Sequence, residues 1–214
     1  MSADGATGQR RRTERDLNAL LGSRICHDLI SPLGAIGNGV ELLSMSGMGA
    51  TPEIALISES VEHANARIRL FRIAYGAAPG GATVPRAEVI DIVTGLGRSG
   101  RLRFDWRIEG DLPRALVKIA FLALQCFETE MPFGGVIEAR LDGASWVIEG
   151  RAERRRAESQ LWSILHDPQS EAEISPANVH FALLPLAAAD SSVSLHLETT
   201  DHTVRLTFEA IGRP

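Results

Sequence analysis

One histidine stands in a setting that suits chemistry: His27, in the run Ile25-Cys26-His27-Asp28-Leu29-Ile30-Ser31-Pro32-Leu33. At about 100° per residue around a helix, Ile25, Leu29, Pro32, Leu33, Ile36, Val40 and Leu43 fall roughly 120–180° away from it. The imidazole is therefore predicted to face solvent, opposite an apolar seam. With an unperturbed pKa of about 6.5 it is mostly neutral near pH 7 and offers a nucleophilic ring nitrogen. Asp28 follows directly and is placed to orient the ring through its other nitrogen. Leu20, Arg24, Ser31, Gly34 and Asn38 lie within roughly 60° of His27 on the same face. That set is polar or small apart from Leu20, and Gly34 and Ala35 lack bulk, so another protein's surface could approach closely. An ordinary exposed histidine is the plain alternative.

A second candidate is the cluster Arg151, Arg154, Arg155 and Arg156, set in a chain of net charge -5. It reads either as a solvated helix start, unfavourable there because cations oppose the helix dipole, or as a docking patch for an acidic protein surface. The remaining chemistry-bearing residues suggest less. His63, His166, His180, His196 and His202 share no ligand spacing, so no metal site is expected. Cys26 and Cys126 are far apart and read as unpaired small apolar side chains in a reducing compartment. Trp106, Trp146 and Trp162 read as core anchors, since no basic stripe interleaves them. An acidic balance argues against nucleic acid as a partner.

These residues must be positioned by the elements around them. Apolar residues at threes and fours predict one helix over 17–43 and a second running from Pro52 through Ile54, Ile57, Val61, Ala64, Ile68 and Phe71 to Tyr75. Pro32 should loosen or bend the first. A hairpin of two such helices leaves each seam half covered, so two copies forming a four-helix bundle are expected, with packing on the remainder of the chain as the competitor. Residues 1–16, with Arg10-Arg11-Arg12 and no apolar core after them, read as a disordered tail in the cytoplasm. No stretch reaches the roughly 20 apolar residues of a membrane span. Residues 77–86 have the composition of a linker, which sets a dimerisation hairpin over 17–76 apart from a domain over 87–214. Within that domain the pattern predicts a helix over 86–96, a strand over 102–108 and an apolar helix over 114–130. A hairpin over 136–149 follows, turning at Asp142-Gly143, then helices over 154–165 and 177–189 and strands over 192–198 and 203–209. The order predicts an α+β chain whose mixed sheet carries helices on one face.

The run from His27 to Leu33 resembles the phospho-acceptor box of sensor histidine kinases, in which a histidine and an acidic residue precede a leucine and then Pro-Leu. Ile30 departs from it, standing where those kinases usually carry a basic or amide residue. The order of elements after Pro85 is similar to the ATP-binding domain of the same kinases, but the residues that would hold nucleotide are missing. The long helix from Lys118 to Glu128 has no Asn to help hold Mg²⁺. Where an Asp-x-Gly-x-Gly turn would read adenine, the chain has Glu149-Gly150-Arg151-Ala152-Glu153. A glycine-rich lid is absent too, and Gly134-Gly135 reads as a turn into a strand.

Taken together, the chain looks like a histidine phosphotransferase of the ChpT type, built as a dimeric bundle followed by a degenerate ATP-binding-like α/β sandwich. The resemblance implies that His27, helped by Asp28, relays a phosphoryl group from the receiver domain of a hybrid kinase to that of a response regulator. It further implies that Arg24, Ser31, Gly34 and Asn38 meet the receiver, that Mg²⁺ comes with the receiver and that the chain binds no ATP. Two alternatives stay open, a sensor-kinase core whose ATP site has diverged and a non-catalytic dimeric scaffold.

Overall fold

The computed structural model describes residues 24, 25, 28, 29, 32, 34–36, 39, 52–98, 100–156, 159–165, 167 and 170–210. The described residues between 24 and 39 are helical. They lie along α1 (Pro52–Ala74), and the two helices close tightly at Gly39, where a Cβ would collide with the side chain of Ile57. A glycine at that point is what permits the approach.

The seam of α1 serves two surfaces rather than one. Ala66, Leu70, Phe71, Ile73 and Ala74 join the core of the C-terminal domain, because α1 packs on α2 (Arg86–Arg98) and α3 (Arg114–Glu130). Ile54, Val61 and Ile68, spaced by sevens, stay 37%, 39% and 48% exposed. One hydrophobic core thus crosses the expected domain boundary.

The expected linker over 77–86 and the end of α1 are bonded to the C-terminal domain. The Arg114 guanidinium donates to the carbonyls of Ala77 and Arg72 at 2.9 and 3.0 Å, and Lys118 Nζ donates to that of Gly76 at 2.9 Å. A short strand, β1 (Thr83–Val84), pairs antiparallel with β3 (Leu112–Pro113). Two-residue strands carry no periodicity, so neither is visible in the sequence.

The main sheet has five strands: β2 (Leu102–Trp106), β4 (Gly135–Asp142), β5 (Ser145–Arg151), β6 (Val193–Thr199) and β7 (Thr203–Ala210), in the order β2-β4-β5-β7-β6. β2 runs parallel to β4 and the other pairings are antiparallel. This is the mixed sheet expected from the pattern. In β7 the residues Val204, Leu206 and Phe208 are buried and alternate with Arg205 and Thr207, as a sheet covered on one face requires. Gly134 and Gly135 take positive φ (104° and 149°) where α3 turns into β4, and a Cβ on Gly135 would strike the carbonyl of Arg151 and the side chain of Met131.

The helix expected over 154–165 is shorter. Among the described residues it forms α4 (Ser159–Trp162), which continues as a 3-10 turn over Ser163–Leu165. Before it, the Ala152 N–H donates to His202 O at 3.0 Å and the Arg156 N–H to Glu130 O at 2.8 Å. Tertiary partners have taken the bonds a helix would make.

All three tryptophans are core anchors. Trp106 packs edge-on against Phe121 and Trp146, Trp146 stacks on Phe208, and Trp162 sits edge-on between Phe127 and Phe181. The last helix, α5 (Val179–Asp190), closes the layer over β6.

Candidate functional site

Of the residues expected around the histidine, His27, Ser31 and Asn38 lie outside the described residues, while Arg24, Asp28 and Gly34 are within them. Gly34 is exposed, with no atom of the described residues within 4 Å of the position a Cβ would take. Arg24 does not point outward. Its Nη2 pairs with Asp28 Oδ2 at 2.7 Å, one helical turn on, and its Nη1 donates to the carbonyl of Ala177 at 2.8 Å. The two side chains are only 14% and 10% exposed. Arg24, expected to meet a partner, thus reaches a carbonyl of the chain's own C-terminal domain.

Polar contacts continue inward from this pair. Arg67 of α1 grips Glu128 of α3 through two nitrogens, at 2.6 and 3.1 Å, the bidentate geometry a guanidinium offers a carboxylate. Next to Glu128, Thr129 donates its hydroxyl to the Gln125 carbonyl at 3.1 Å and lies 3.0 Å from Nε2 of His180. With that proton already used, Thr129 Oγ1 accepts from His180 Nε2–H, which makes Nδ1 the bare nitrogen of the ring. Burial lowers the pKa of His180 to about 3, and the charges of Arg24 and Arg67 act in the same direction. Tyr75 donates to Gln125 Oε1.

Between these groups opens a cleft of about 410 Å³, lined by Arg24, Arg67, Arg101, His63 and Glu128 among others. Burial and then Arg67 push the pKa of His63 down, against Glu128. His63 is thus a half-buried imidazole, neutral near pH 7.

The arginine cluster divides. Arg155 turns inward onto the Glu130 carboxylate at 2.6 Å, with side chains 7% and 1% exposed, and also donates to the carbonyl of Thr200. It fastens the 152–156 segment to α3 and to the β6–β7 turn, which removes it from any docking patch. Arg154 lies over the ring of Phe133, 4.5 Å from its centroid, and that ring is 54% exposed. Arg151 pairs with Glu149, which Arg205 also holds at 2.7 Å. Burial alone would raise the Glu149 carboxyl, yet hydrogen bonds and charge from Arg205 and Arg151 bring its pKa below the usual range. Arg151, Arg154 and Arg156 are exposed, and Arg154 sets its charge over an exposed aromatic ring.

The described residues contain no group of three or more His, Cys, Asp or Glu placed to hold a metal ion. Burial raises the thiol pKa of Cys126 well above its ordinary value, consistent with an inert apolar side chain. No helix among the described residues is long and apolar enough to cross a membrane. Sequence reasoning missed Arg67, Glu128, Thr129 and His180, since partners separated by 51 and 61 residues leave no local signal.

Comparison with known proteins converges on one family. Residues 86–203 match the family described as the histidine phosphotransferase C-terminal domain. The chain is 34% identical over 196 residues to the protein phosphotransferase ChpT of Brucella abortus (strain 2308), with 87% of this chain and 92% of that protein covered. Its fold is similar to that of a bacterial phosphotransferase solved at 1.7 Å resolution, with a TM-score of 0.75 at 30% identity over 91% of this chain and 96% of that one. The chain belongs to the histidine phosphotransferase family.

Proposed function

We propose that His27 is the phosphoryl carrier of a phosphorelay. A neutral ring nitrogen of His27 attacks the phosphorus of an aspartyl phosphate on the receiver domain of a hybrid kinase. An N–P bond forms as the acyl O–P bond breaks, and the receiver's carboxylate leaves. The reverse displacement hands the group to an aspartate of a response-regulator receiver. Such transfer passes through a loose, nearly in-line transition state, so catalysis is chiefly positioning and charge neutralisation. Mg²⁺ comes with the receiver's acidic pocket. Asp28, itself held by Arg24, keeps the ring's orientation.

The observation that carries this reading is the similarity of most of the chain, well beyond residues 86–203, to a protein phosphotransferase. Two further features agree with it. The segment after the β4–β5 hairpin reads Glu149-Gly150-Arg151-Ala152-Glu153 in place of an Asp-x-Gly-x-Gly turn, which favours a chain that binds no ATP. The exposed Arg151, Arg154, Arg156 and Phe133 suit an acidic receiver, alongside Ser31, Gly34 and Asn38. The heptad-spaced, exposed Ile54, Val61 and Ile68 favour a homodimer closed by a four-helix bundle. Wild-type protein mixed with a phosphorylated receiver is expected to take acid-labile label, and His27→Ala to take none while remaining folded. Label on His27→Ala from the same donor would refute the assignment.

A further inference from the structure

We propose that Arg24 is a positioning residue for transfer at His27, locking the histidine's segment onto the C-terminal domain instead of meeting the incoming receiver. The inference rests on the phosphotransfer reading above. Arg24 and Asp28 bracket His27 in the sequence, and one guanidinium holds both Asp28 at 2.7 Å and the Ala177 carbonyl at 2.8 Å. Because the guanidinium is planar and its donors are fixed relative to one another, the two bonds set an orientation as well as a distance. The Arg24 and Asp28 side chains are only 14% and 10% exposed, which strengthens their charge-assisted pair, while the bond to Ala177 lies at the surface.

Ala177 is a firm anchor. The neighbouring Asn178 accepts from the Ser175 N–H at 2.6 Å and donates to the Glu173 carbonyl at 3.2 Å. The chain then enters α5, where His180 bonds Thr129 of α3, and the adjoining Glu128 holds Arg67 of α1. Arg24 thereby ties the histidine's segment to α5, α5 is tied to α3, and α3 to the second helix of the hairpin. Closing this circuit assigns the C-terminal domain a task that needs no nucleotide, which is to fix where His27 sits. In-line transfer is sensitive to that placement, since a shift of about 1 Å can cost on the order of 100-fold in rate.

The test follows transfer of label from a receiver domain, phosphorylated with a small-molecule phosphodonor, to wild-type protein, Arg24→Ala and Arg24→Lys over a range of receiver concentrations. Arg24→Ala is expected to lower the saturated rate by about tenfold or more while changing the half-saturating concentration less than about threefold. Arg24→Lys, which keeps the charge and one bond, should restore part of the rate. A raised half-saturating concentration at unchanged saturated rate would mean that Arg24 touches the receiver and would overturn the proposal, as would no change in either quantity. Should Arg24→Ala fail to fold, Arg24→Gln, which keeps a donor for Ala177, decides by the same split. Wild-type protein that takes no label overturns the phosphotransfer reading itself; labelled wild type with an indistinguishable variant overturns only the role of Arg24.

Discussion

His180 sets a measurable limit on the protein's acid stability. Its ring is fully buried, Nε2–H bonds Thr129, and Nδ1 has no hydrogen-bond partner among the described residues. A proton on Nδ1 would therefore stand in a desolvated site facing Arg24 and Arg67, and the folded pKa falls to about 3 for that reason. The unfolded chain takes up the proton near pH 6.5. Because the folded value lies below the unfolded one, the stabilisation is fully present above about pH 6.5 and is lost progressively as the pH falls towards about 3. Between those limits the loss is about 1.4 kcal/mol per pH unit, or about 2 kcal/mol by pH 5. Urea unfolding of wild type and His180→Gln at pH 7.5, 6 and 5 isolates this contribution, since the other titrating groups are common to both proteins. The wild-type free energy is expected to fall more steeply than that of the variant by about 1.4 kcal/mol per unit below pH 6. Parallel pH dependences for the two proteins would refute the reasoning.

Further tests bear on the buried Arg155–Glu130 pair and on assembly. Arg155→Met removes the guanidinium from the buried Glu130 carboxylate and should cost about 3–5 kcal/mol in urea unfolding. Adding Glu130→Gln should recover most of that loss, because the uncompensated charge is then gone. The double variant Val61→Glu, Ile68→Glu places charges on the exposed stripe of α1 and is expected to sediment as a monomer where the wild type sediments as a dimer. A wild type that is monomeric at micromolar concentration would count against the bundle.

Much of the architecture was legible from periodicity. α3 is an apolar run without a break from Phe121 to Leu124, and the β4–β5 hairpin and the strands β6 and β7 alternate or turn where the residues indicate. The split seam of α1 was less legible, because Ala66, Leu70 and Ile73 interleave with Val61 and Ile68 on one apolar helix. Periodicity reports that a face is apolar without saying which neighbour covers it. The expected helix over 154–165 lacks its first turn for a related reason: Arg154–Arg156 are not helical. Nothing local indicates that Arg155 will find Glu130, 25 residues away.

By itself, then, the sequence singled out candidates for chemistry and most of the elements around them: His27 with its acidic neighbour in a Pro-Leu box, and an α+β domain. Those features are local, written in residue type and in spacings of two, three and four. Only the tertiary structure decided which of the flanking charges remain for a partner. Arg24 and Arg155, which read as surface cations like their neighbours, turned inward because a backbone carbonyl and a buried carboxylate came within reach once the helices had packed. Arg154, over the exposed ring of Phe133, stayed at the surface, and Arg151 reaches the buried Glu149 carboxylate while its own side chain stays 63% exposed. A long flexible side chain goes to whichever anchor the fold brings near it, and that anchor lies too far along the chain to be read from its own neighbourhood.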